Sequence, residues 1–282
     1  MPSPLHSLAR GVRPCMLAGC LALAVSASTF SPASAAGPKP DDAQASAPRS
    51  YEYFAGSYYL DMGDRGDGSN VYAGLRYRPR ERSLVYVQGD YLERFDKREG
   101  RLLGGASFRI AQAWNISGEV SLSPRAELYP HGAAWIELGR PVARTLALSL
   151  RTNYSAYRSV QLAGISIGSE YYPRGECAVI SRVALARTDY GGGTTRTDGS
   201  ALVKVIWFFD DRTRAFAYAA TGSESFMTET IDRIGDLRAN AFGVGGTWFV
   251  GHALGLSPSF EYQERERGPR YIQLGLEICR PW

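Results

Sequence analysis

Apolar and polar residues alternate along most of the chain, in runs of roughly ten residues that Gly, Pro, Asp and Arg residues separate. The run from Arg144 to Tyr154 shows this most clearly, because every second residue from Leu146 to Tyr154 is Leu, Thr or Tyr and most residues between them are polar. Successive side chains of a β-strand point to opposite faces, so this run predicts a strand with one face toward lipid and the other toward water. Segments of this kind are typical of transmembrane β-barrels, in which closure of the sheet pairs every backbone polar group.

The alternation predicts an all-β, up-and-down antiparallel barrel of fourteen strands. The predicted strands are 51–60, 70–79, 83–93, 99–110, 113–122, 130–139, 144–155, 158–171, 175–188, 198–209, 213–223, 237–249, 252–263 and 269–279. Residues 123–143 also fit a single bent strand, which leaves a barrel of twelve strands as the alternative.

The predicted connections fall into two alternating sets. The short set is 80–82, 111–112, 140–143, 172–174, 210–212 and 250–251. The other set is longer and more polar on average, although 156–157 is short; it comprises 61–69, 94–98, 123–129, 156–157, 189–197, 224–236 and 264–268. Short periplasmic turns and longer extracellular loops are the asymmetry expected of such a barrel.

A soluble sandwich or a periplasmic barrel would also alternate and use Gly-rich turns. The predicted spacing of about 17 residues per strand and connection exceeds the roughly 8–12 that sandwiches use. Polar residues also occupy one face of nearly every predicted strand. Beyond the N-terminal leader, no run reaches the roughly 18 apolar residues that a membrane-spanning helix needs. With 12% aromatic residues, 17 of them Tyr, the composition also suits a barrel with aromatic side chains at the headgroups. The pattern therefore favours a barrel in a membrane.

The N-terminus predicts export. Residues 1–35 contain a mildly basic start, an apolar run at 16–25 and the small residues Ala33-Ser34-Ala35, which together indicate a signal peptide cleaved after Ala35. Cleavage after Ala27 is an alternative, and Cys20 superficially ends a lipoprotein box but lies in the middle of the apolar run. The Ala-, Pro- and Ser-rich residues 36–50 predict a disordered periplasmic lead-in, which leaves 51–282 for the barrel in the outer membrane of a Gram-negative envelope.

The last strand carries a candidate insertion signal. Its apolar set alternates with polar residues and consists of Ile272, Leu274, Leu276, Ile278 and Trp282. An amphipathic final strand that ends on an aromatic residue resembles the signal by which the barrel-assembly machinery recognises outer-membrane proteins. Pro281 and Arg280 depart from that pattern.

Arginine dominates the charge, since 29 of the 32 basic residues are Arg. The guanidinium fork binds carboxylate and phosphate groups in a fixed geometry, which suits lipopolysaccharide outside the barrel or an anionic solute inside it. The charged residues expected to line the lumen are Arg76, Arg78, Glu119, Arg151, Glu170 and Arg182. Two interpretations stay open: a lumen tied together by ion pairs, and an anion-selective lumen. The net charge of +4 is too small to indicate nucleic-acid binding.

Catalytic, metal and disulfide chemistry find little support in the sequence. His131 and His252 are the histidines that remain after the leader, and neither lies in a recognisable hydrolase motif. Cys177 and Cys279 have opposite strand phases, so we predict two free thiols. The sequence predicts no metal site, no cofactor and no enzymatic activity, with a lipid-modifying enzyme that uses His131 as the least favoured function.

Four short motifs occur in order along the predicted barrel: Glu137-Leu138-Gly139-Arg140-Pro141, Gly168-Ser169-Glu170-Tyr171-Tyr172, Phe208-Phe209-Asp210-Asp211-Arg212 and Thr221-Gly222-Ser223-Glu224. Together they resemble the YaiO family of outer-membrane β-barrels. Their order along residues 51–282 carries the resemblance, because each motif alone is weak. The resemblance implies a barrel without an established catalytic role and an association with envelope polysaccharide or its export proteins.

Barrel size sets the functional expectations. A barrel of twelve to fourteen strands lies between filled eight-stranded barrels and open porins of sixteen to eighteen strands. The first hypothesis is a porin-like pore or an export channel for a small solute or a saccharide chain, with 224–236 as a constricting loop. The second is a non-conducting barrel that docks partners.

Overall fold

The computed structural model of the protein describes residues 50–63, 66–80, 83–111, 113–210, 212–223, 238–251, 254–265 and 270–281. These residues form fourteen strands: β1 (Ser50–Asp61), β2 (Asp67–Arg80), β3 (Ser83–Arg94), β4 (Lys97–Ala111), β5 (Trp114–Leu122), β6 (Gly132–Ala143), β7 (Leu146–Ala156), β8 (Gln161–Arg174), β9 (Cys177–Asp189), β10 (Thr195–Phe208), β11 (Arg214–Ser223), β12 (Arg238–Val250), β13 (Leu254–Arg265) and β14 (Tyr271–Pro281). Among the described residues no helix is long and apolar enough to cross a membrane.

The strands close into one antiparallel barrel. Each strand pairs with its neighbours in sequence, and β1 pairs with β14 from Glu52 opposite Pro281 to Asp61 opposite Ile272. Closure leaves no free sheet edge, which is the condition for a sheet to cross hydrocarbon. The prediction of an up-and-down barrel of fourteen strands is confirmed. The alternative of twelve is wrong, because residues 123–131 connect β5 to β6 instead of belonging to one bent strand.

The two faces of the wall have opposite chemistry. On β7 the outward residues Leu148, Leu150 and Tyr154 are exposed, and the polar residues between them face the lumen. Strongly exposed apolar side chains occur around the barrel, including Leu102, Val120, Ile167 and Val183. In a monomeric soluble protein such a continuous apolar surface would be rare, whereas a bilayer covers it.

The connections define two ends of the barrel. Among the described residues, the loop end carries 62–63, 66, 95–96, 123–131, 157–160 and 190–194. The turn end carries the two-residue turns 144–145 and 175–176 and the end of β14. All four register shifts between strands lie at the turn end, after Tyr77, Arg109, Pro141 and Tyr171. A β-bulge of this kind lets a strand continue past a residue that does not pair regularly.

Three of the predicted connections between strands differ from those in the structure. Residues 140–143 continue β6 instead of forming a turn, because the irregularity at Pro141 is absorbed within the β6–β7 pair. Residues 172–174 likewise continue β8. The predicted loop 94–98 is a two-residue turn in which Phe95 and Asp96 both have positive φ, of 53° and 58°. Positive φ at both central residues is the geometry of a tight hairpin turn, although neither residue is glycine.

Candidate functional site: the barrel lumen

The charged residues predicted to line the lumen all lie in the inward phase of their strands. Arg76 and Arg78 lie on β2, Glu119 on β5, Arg151 on β7, Glu170 on β8 and Arg182 on β9. Among the described residues, neither Glu119 nor Glu170 forms a salt bridge with an Arg. Each instead accepts a hydrogen bond from a tyrosine, Tyr86 in the first case and Tyr172 in the second.

Arg76 joins two carboxylates from neighbouring strands. Its guanidinium lies 2.7 Å from Glu52 on β1 and 3.0 Å from Glu277 on β14, and it stacks 3.8 Å from the ring centroid of Phe54. Two N–H groups of Arg76 donate to the two oxygens of Glu277, each at 3.0 Å. This bidentate geometry fixes the arginine against the seam at which the first and last strands close the barrel.

A second charged group lies on β6 to β9. Arg182 donates to Glu137 at 2.6 Å, and the Glu137 side chain is almost fully buried. Arg151 stacks 3.9 Å from the ring centroid of Trp135 and interacts electrostatically with both Arg182 and Glu137. Glu119 and Glu170 interact electrostatically with Arg151 and Arg182 respectively, so three carboxylates lie near these two guanidinium groups.

Three tyrosines use the same geometry to reach a glutamate. Tyr72, Tyr86 and Tyr218 each face a glycine on the adjacent strand, and the strand beyond that glycine carries the glutamate that accepts the phenol hydrogen. The three Tyr–Gly–Glu rungs are Tyr72–Gly56–Glu277, Tyr86–Gly105–Glu119 and Tyr218–Gly243–Glu261.

The glycines in these rungs make room for the rings. A Cβ atom built on Gly105 would lie 2.6 Å from the ring of Tyr86, and one on Gly243 would lie 2.2 Å from the ring of Tyr218. A tyrosine can therefore lie flat across the middle strand of a rung and place its hydroxyl on the far strand. Each buried glutamate thereby gains a donor, which a buried polar group requires.

At the loop end, the connection between β5 and β6 folds inward; we call residues 123–131 the mouth segment. Its residues Ala126, Leu128, Tyr129 and Pro130 are buried. The segment starts and ends close together, since the N–H of Ser123 donates to the carbonyl of His131 at 3.1 Å.

Glu99 on β4 holds the mouth segment. Its carboxylate accepts the backbone N–H groups of Glu127, Leu128 and Tyr129, and it also accepts the hydroxyl of Ser123. Hydrogen bonds to an ionised carboxylate are stronger than neutral ones, and three successive N–H groups on one acceptor fix the backbone direction. Glu99 is only 1% exposed, so water does not compete for these bonds.

The mouth segment crosses the lumen rather than staying above its own strands. The hydroxyl of Tyr129 accepts a hydrogen bond from Asn70 on β2 at 2.6 Å, and Arg101 stacks 4.1 Å from its ring centroid. Leu128 and Tyr129 complete an apolar cluster with Leu60 of β1, Met62 just after β1, Leu92 of β3 and Tyr271 of β14. The mouth segment therefore covers the lumen face of β1, β2, β3 and β14 at the loop end.

The loop that the sequence predicts as a constriction is not the mouth segment. The predicted constricting loop, residues 224–236, lies outside the described residues, and so do the leader and lead-in up to residue 49, His252 and Trp282. The mouth segment was predicted as a surface loop. A signal that could have identified it is the run Leu128-Tyr129-Pro130, which is unusually apolar for a loop that water surrounds.

The other residues singled out in the sequence are the two cysteines, His131 and the apolar set of β14. Cys177 and Cys279 are free, as predicted; Cys279 is buried on the lumen face. His131 is exposed at the end of the mouth segment. The described residues contain no group of three or more His, Cys, Asp or Glu side chains that could hold a metal ion. On β14 the apolar set of the predicted insertion signal, from Ile272 to Ile278, lies in the outward phase.

Comparison with known proteins identifies the fold. No family model matches the chain, and no curated protein matches it. Similar solved structures include a bacterial polysaccharide outer membrane secretin, 10% identical with a TM-score of 0.51, which matches 83% of this chain and 98% of its own. The CymD monoaromatic hydrocarbon channel is 7% identical with a TM-score of 0.53, over 84% of this chain and 89% of its own. An anion-selective porin from Comamonas acidovorans is 8% identical with a TM-score of 0.50, over 83% and 99%.

These matches share the architecture of outer-membrane barrels. The chain therefore has the fold of an outer-membrane β-barrel, and its apolar outer surface fits it to that membrane. The resemblance to the YaiO family stays a prediction.

Proposed function

We propose that the protein is a narrow outer-membrane pore that passes a small solute or a saccharide chain, as a porin or an export channel does. The observation that carries the proposal is the polar lumen, in which Arg76, Arg182 and their carboxylate partners line the inside of a closed fourteen-stranded wall. A wall of this size lies between filled small barrels and open large porins. In the proposed orientation the loop end faces the cell exterior and the turn end faces the periplasm.

The solved structures that share the fold support this proposal, since they are a secretin, a channel and a porin. Insertion by the barrel-assembly machinery, contact of the outer surface with lipopolysaccharide and association with envelope polysaccharide are parts of the same proposal. Catalysis is not part of it. A lipid-modifying enzyme would have to depend on His131, and replacement of that residue by Ala in the purified barrel would then abolish lipid modification.

Single-channel recording tests the pore. The refolded mature chain in a planar bilayer is expected to give a steady current, and the current should rise when residues 124–130 are replaced by a short Gly-Ser linker that frees the mouth. A matched replacement of residues 190–194, which connect β9 to β10, controls for shortening a loop at the same end. A correctly folded barrel that stays silent after the mouth replacement would overturn the pore.

The packing of the mouth segment favours a second candidate, a non-conducting barrel whose loops dock an envelope partner. The apolar cluster around Tyr129 packs the mouth segment against the wall, as a plug that seals the lumen would be packed. A barrel that is silent before and after the mouth replacement, yet retains envelope polysaccharide or its export proteins on an affinity column, would support this second candidate.

A further inference from the structure

Below the mouth segment, three cations face the lumen without a carboxylate partner. Arg78 on β2, Lys204 on β10 and Arg214 on β11 form no salt bridge with another described residue, although all three are in the inward phase. Lys204 is 7% exposed and lies 4.1 Å from the ring centroid of Phe216. A buried lysine or arginine without an anion is costly, so a group of three calls for an explanation.

These cations are close to one another across the lumen. Arg214 interacts electrostatically with Arg76 and Arg78, and Lys204 interacts with Arg214. β2 and β11 are separated along the wall by β1, β14, β13 and β12, and the inward phase of these side chains directs the interaction across the interior. We call Arg76, Arg78, Lys204 and Arg214 the cation cluster.

The carboxylates nearby are too few to balance the cluster. Among the described residues, Glu52 and Glu277 are the carboxylates that interact with Arg214, and both are already bound to Arg76. Four cations and two carboxylates leave an excess of two positive charges beside Lys204, which is buried. Repulsion between like charges is strong in such surroundings, and a bound anion would relieve it.

The excess of positive charge belongs to the cation cluster and not to the Arg151 and Arg182 group. Glu137 bonds Arg182, and Glu119 and Glu170 each interact electrostatically with one of these two arginines. An excess of two positive charges at one position fits a ligand with two negative groups better than it fits a small monoanion.

We propose that the lumen binds a solute that carries two or more oxyanion groups, carboxylates or phosphates, with Arg78, Lys204 and Arg214 as its first contacts. The arginine forks provide paired N–H donors that match both kinds of oxyanion. The inward position of these residues points to a solute in the lumen rather than to a lipid headgroup on the outer surface. The proposal names the solute class for the pore proposed above and rests on it for its biological meaning.

Binding can be measured without conduction. The probes are trigalacturonate, inorganic phosphate and the neutral trisaccharide maltotriose, titrated calorimetrically into the full mature barrel in detergent. Trigalacturonate is expected to bind and to weaken as salt rises, because the attraction is screened. Phosphate should bind more weakly, and maltotriose should not bind. Equal binding of maltotriose and trigalacturonate, or no binding of either anion, would overturn the proposal.

Variants locate the site. The double variant Arg78→Gln with Arg214→Gln should bind trigalacturonate at least 10-fold more weakly, whereas Arg214→Lys, which keeps the charge, should recover part of the affinity. Arg98→Gln is the control, because Arg98 is exposed at the loop end and pairs with exposed Glu93. If the double variant does not fold, Lys204→Gln alone tests the same cluster. Unchanged affinity in the folded variants would overturn the assignment of the site.

Bilayer recordings separate this proposal from that of the pore. Trigalacturonate binding by a silent barrel would leave the site standing and overturn the pore. A current without anion preference, in a barrel that binds neither anion, would leave the pore standing and overturn the site.

Discussion

The two ends of the lumen are built from different interactions. At the loop end the mouth segment is held by an apolar cluster and by backbone hydrogen bonds to Glu99. Toward the turn end the interior is charged, with Arg76 bridging two glutamates and further cations beside it. Apolar packing restricts the size of what enters, whereas fixed charges discriminate by sign. Size and charge selection are therefore separated along the axis, and each can be altered without the other.

The largest expected effect comes from Glu99→Ala at the loop end. The change leaves the N–H groups of residues 127–129 without an acceptor, which should cost about 4 kcal/mol, or roughly a factor of 1,000 in the ratio of displaced to docked mouth segment. The Ser123 hydroxyl can still donate to the carbonyl of Gly100. The expected results are a higher single-channel conductance and faster hydrogen exchange of the amides of residues 127–129. Ion selectivity, which depends on the other end, should stay unchanged.

Glu93→Ala is the matched control for this prediction. Glu93 is also a carboxylate at the loop end, but its partner Arg98 is exposed, and such pairs contribute about 1 kcal/mol or less. If Glu99→Ala and Glu93→Ala gave the same conductance and the same exchange rates, the role of Glu99 in holding the mouth would be refuted.

A smaller effect is expected from Arg76→Met toward the turn end. Loss of the guanidinium leaves Glu52 and Glu277 without the hydrogen bonds that Arg76 donates, and breaking a partly buried pair in this way should cost about 3 kcal/mol. The midpoint of guanidinium unfolding in lipid vesicles measures this loss. Arg98→Met, at an exposed pair, should hardly change it.

A compensating variant sharpens the same prediction. When Glu52→Gln and Glu277→Gln are added to Arg76→Met, the three ion-paired charges disappear together and part of the stability should return, because whole ion pairs are often replaceable at little cost. The return should be incomplete, since Arg78, Lys204 and Arg214 keep their charges. A triple variant as unstable as Arg76→Met alone would show that Arg76 acts through packing on Phe54 and not through its charge.

Much of the fold follows from the sequence, because the period of two is a local property. The strand from Leu146 to Ala156 could be located from Leu148, Leu150 and Tyr154 alone, and the same phase placed Arg151 inside. Strand ends were less predictable. Pro141 resembles a turn residue, yet a bulge accommodates it within β6, and nothing local distinguishes the two cases.

The arrangement inside the lumen depends on register and on the path of a loop, which the sequence pattern does not contain. Tyr72 and Glu277 are 205 residues apart and meet only because β1 and β14 close the barrel. The inward direction of the mouth segment likewise depends on Glu99 and Asn70, which lie on other strands. Residue types could suggest a charged lumen, but they could not say which carboxylate pairs with which arginine.

The smallest expected effect tests the rungs, which connect neighbouring strands between the two ends. A Cβ atom on Gly243 would lie 2.2 Å from the ring of Tyr218, so Gly243→Ala must displace the ring and weaken its hydrogen bond to buried Glu261. The expected loss is about 1–2 kcal/mol in unfolding free energy. Gly89→Ala is the control, because Gly89 is exposed on β3 with nothing within 4 Å of a built Cβ, and alanine there should be neutral or slightly stabilising.

A double-mutant cycle then identifies the cause of the loss. Tyr218→Phe removes the hydroxyl that donates to Glu261, so in that background Gly243→Ala has no hydrogen bond left to break and should cost less than it does alone. Additive costs would mean that the glycine matters only for the space it leaves beside the ring. A non-additive result would show instead that glycine, tyrosine and glutamate on three strands act as one unit. Each rung would then stabilise three neighbouring strands together, independently of both the mouth segment and the cation cluster.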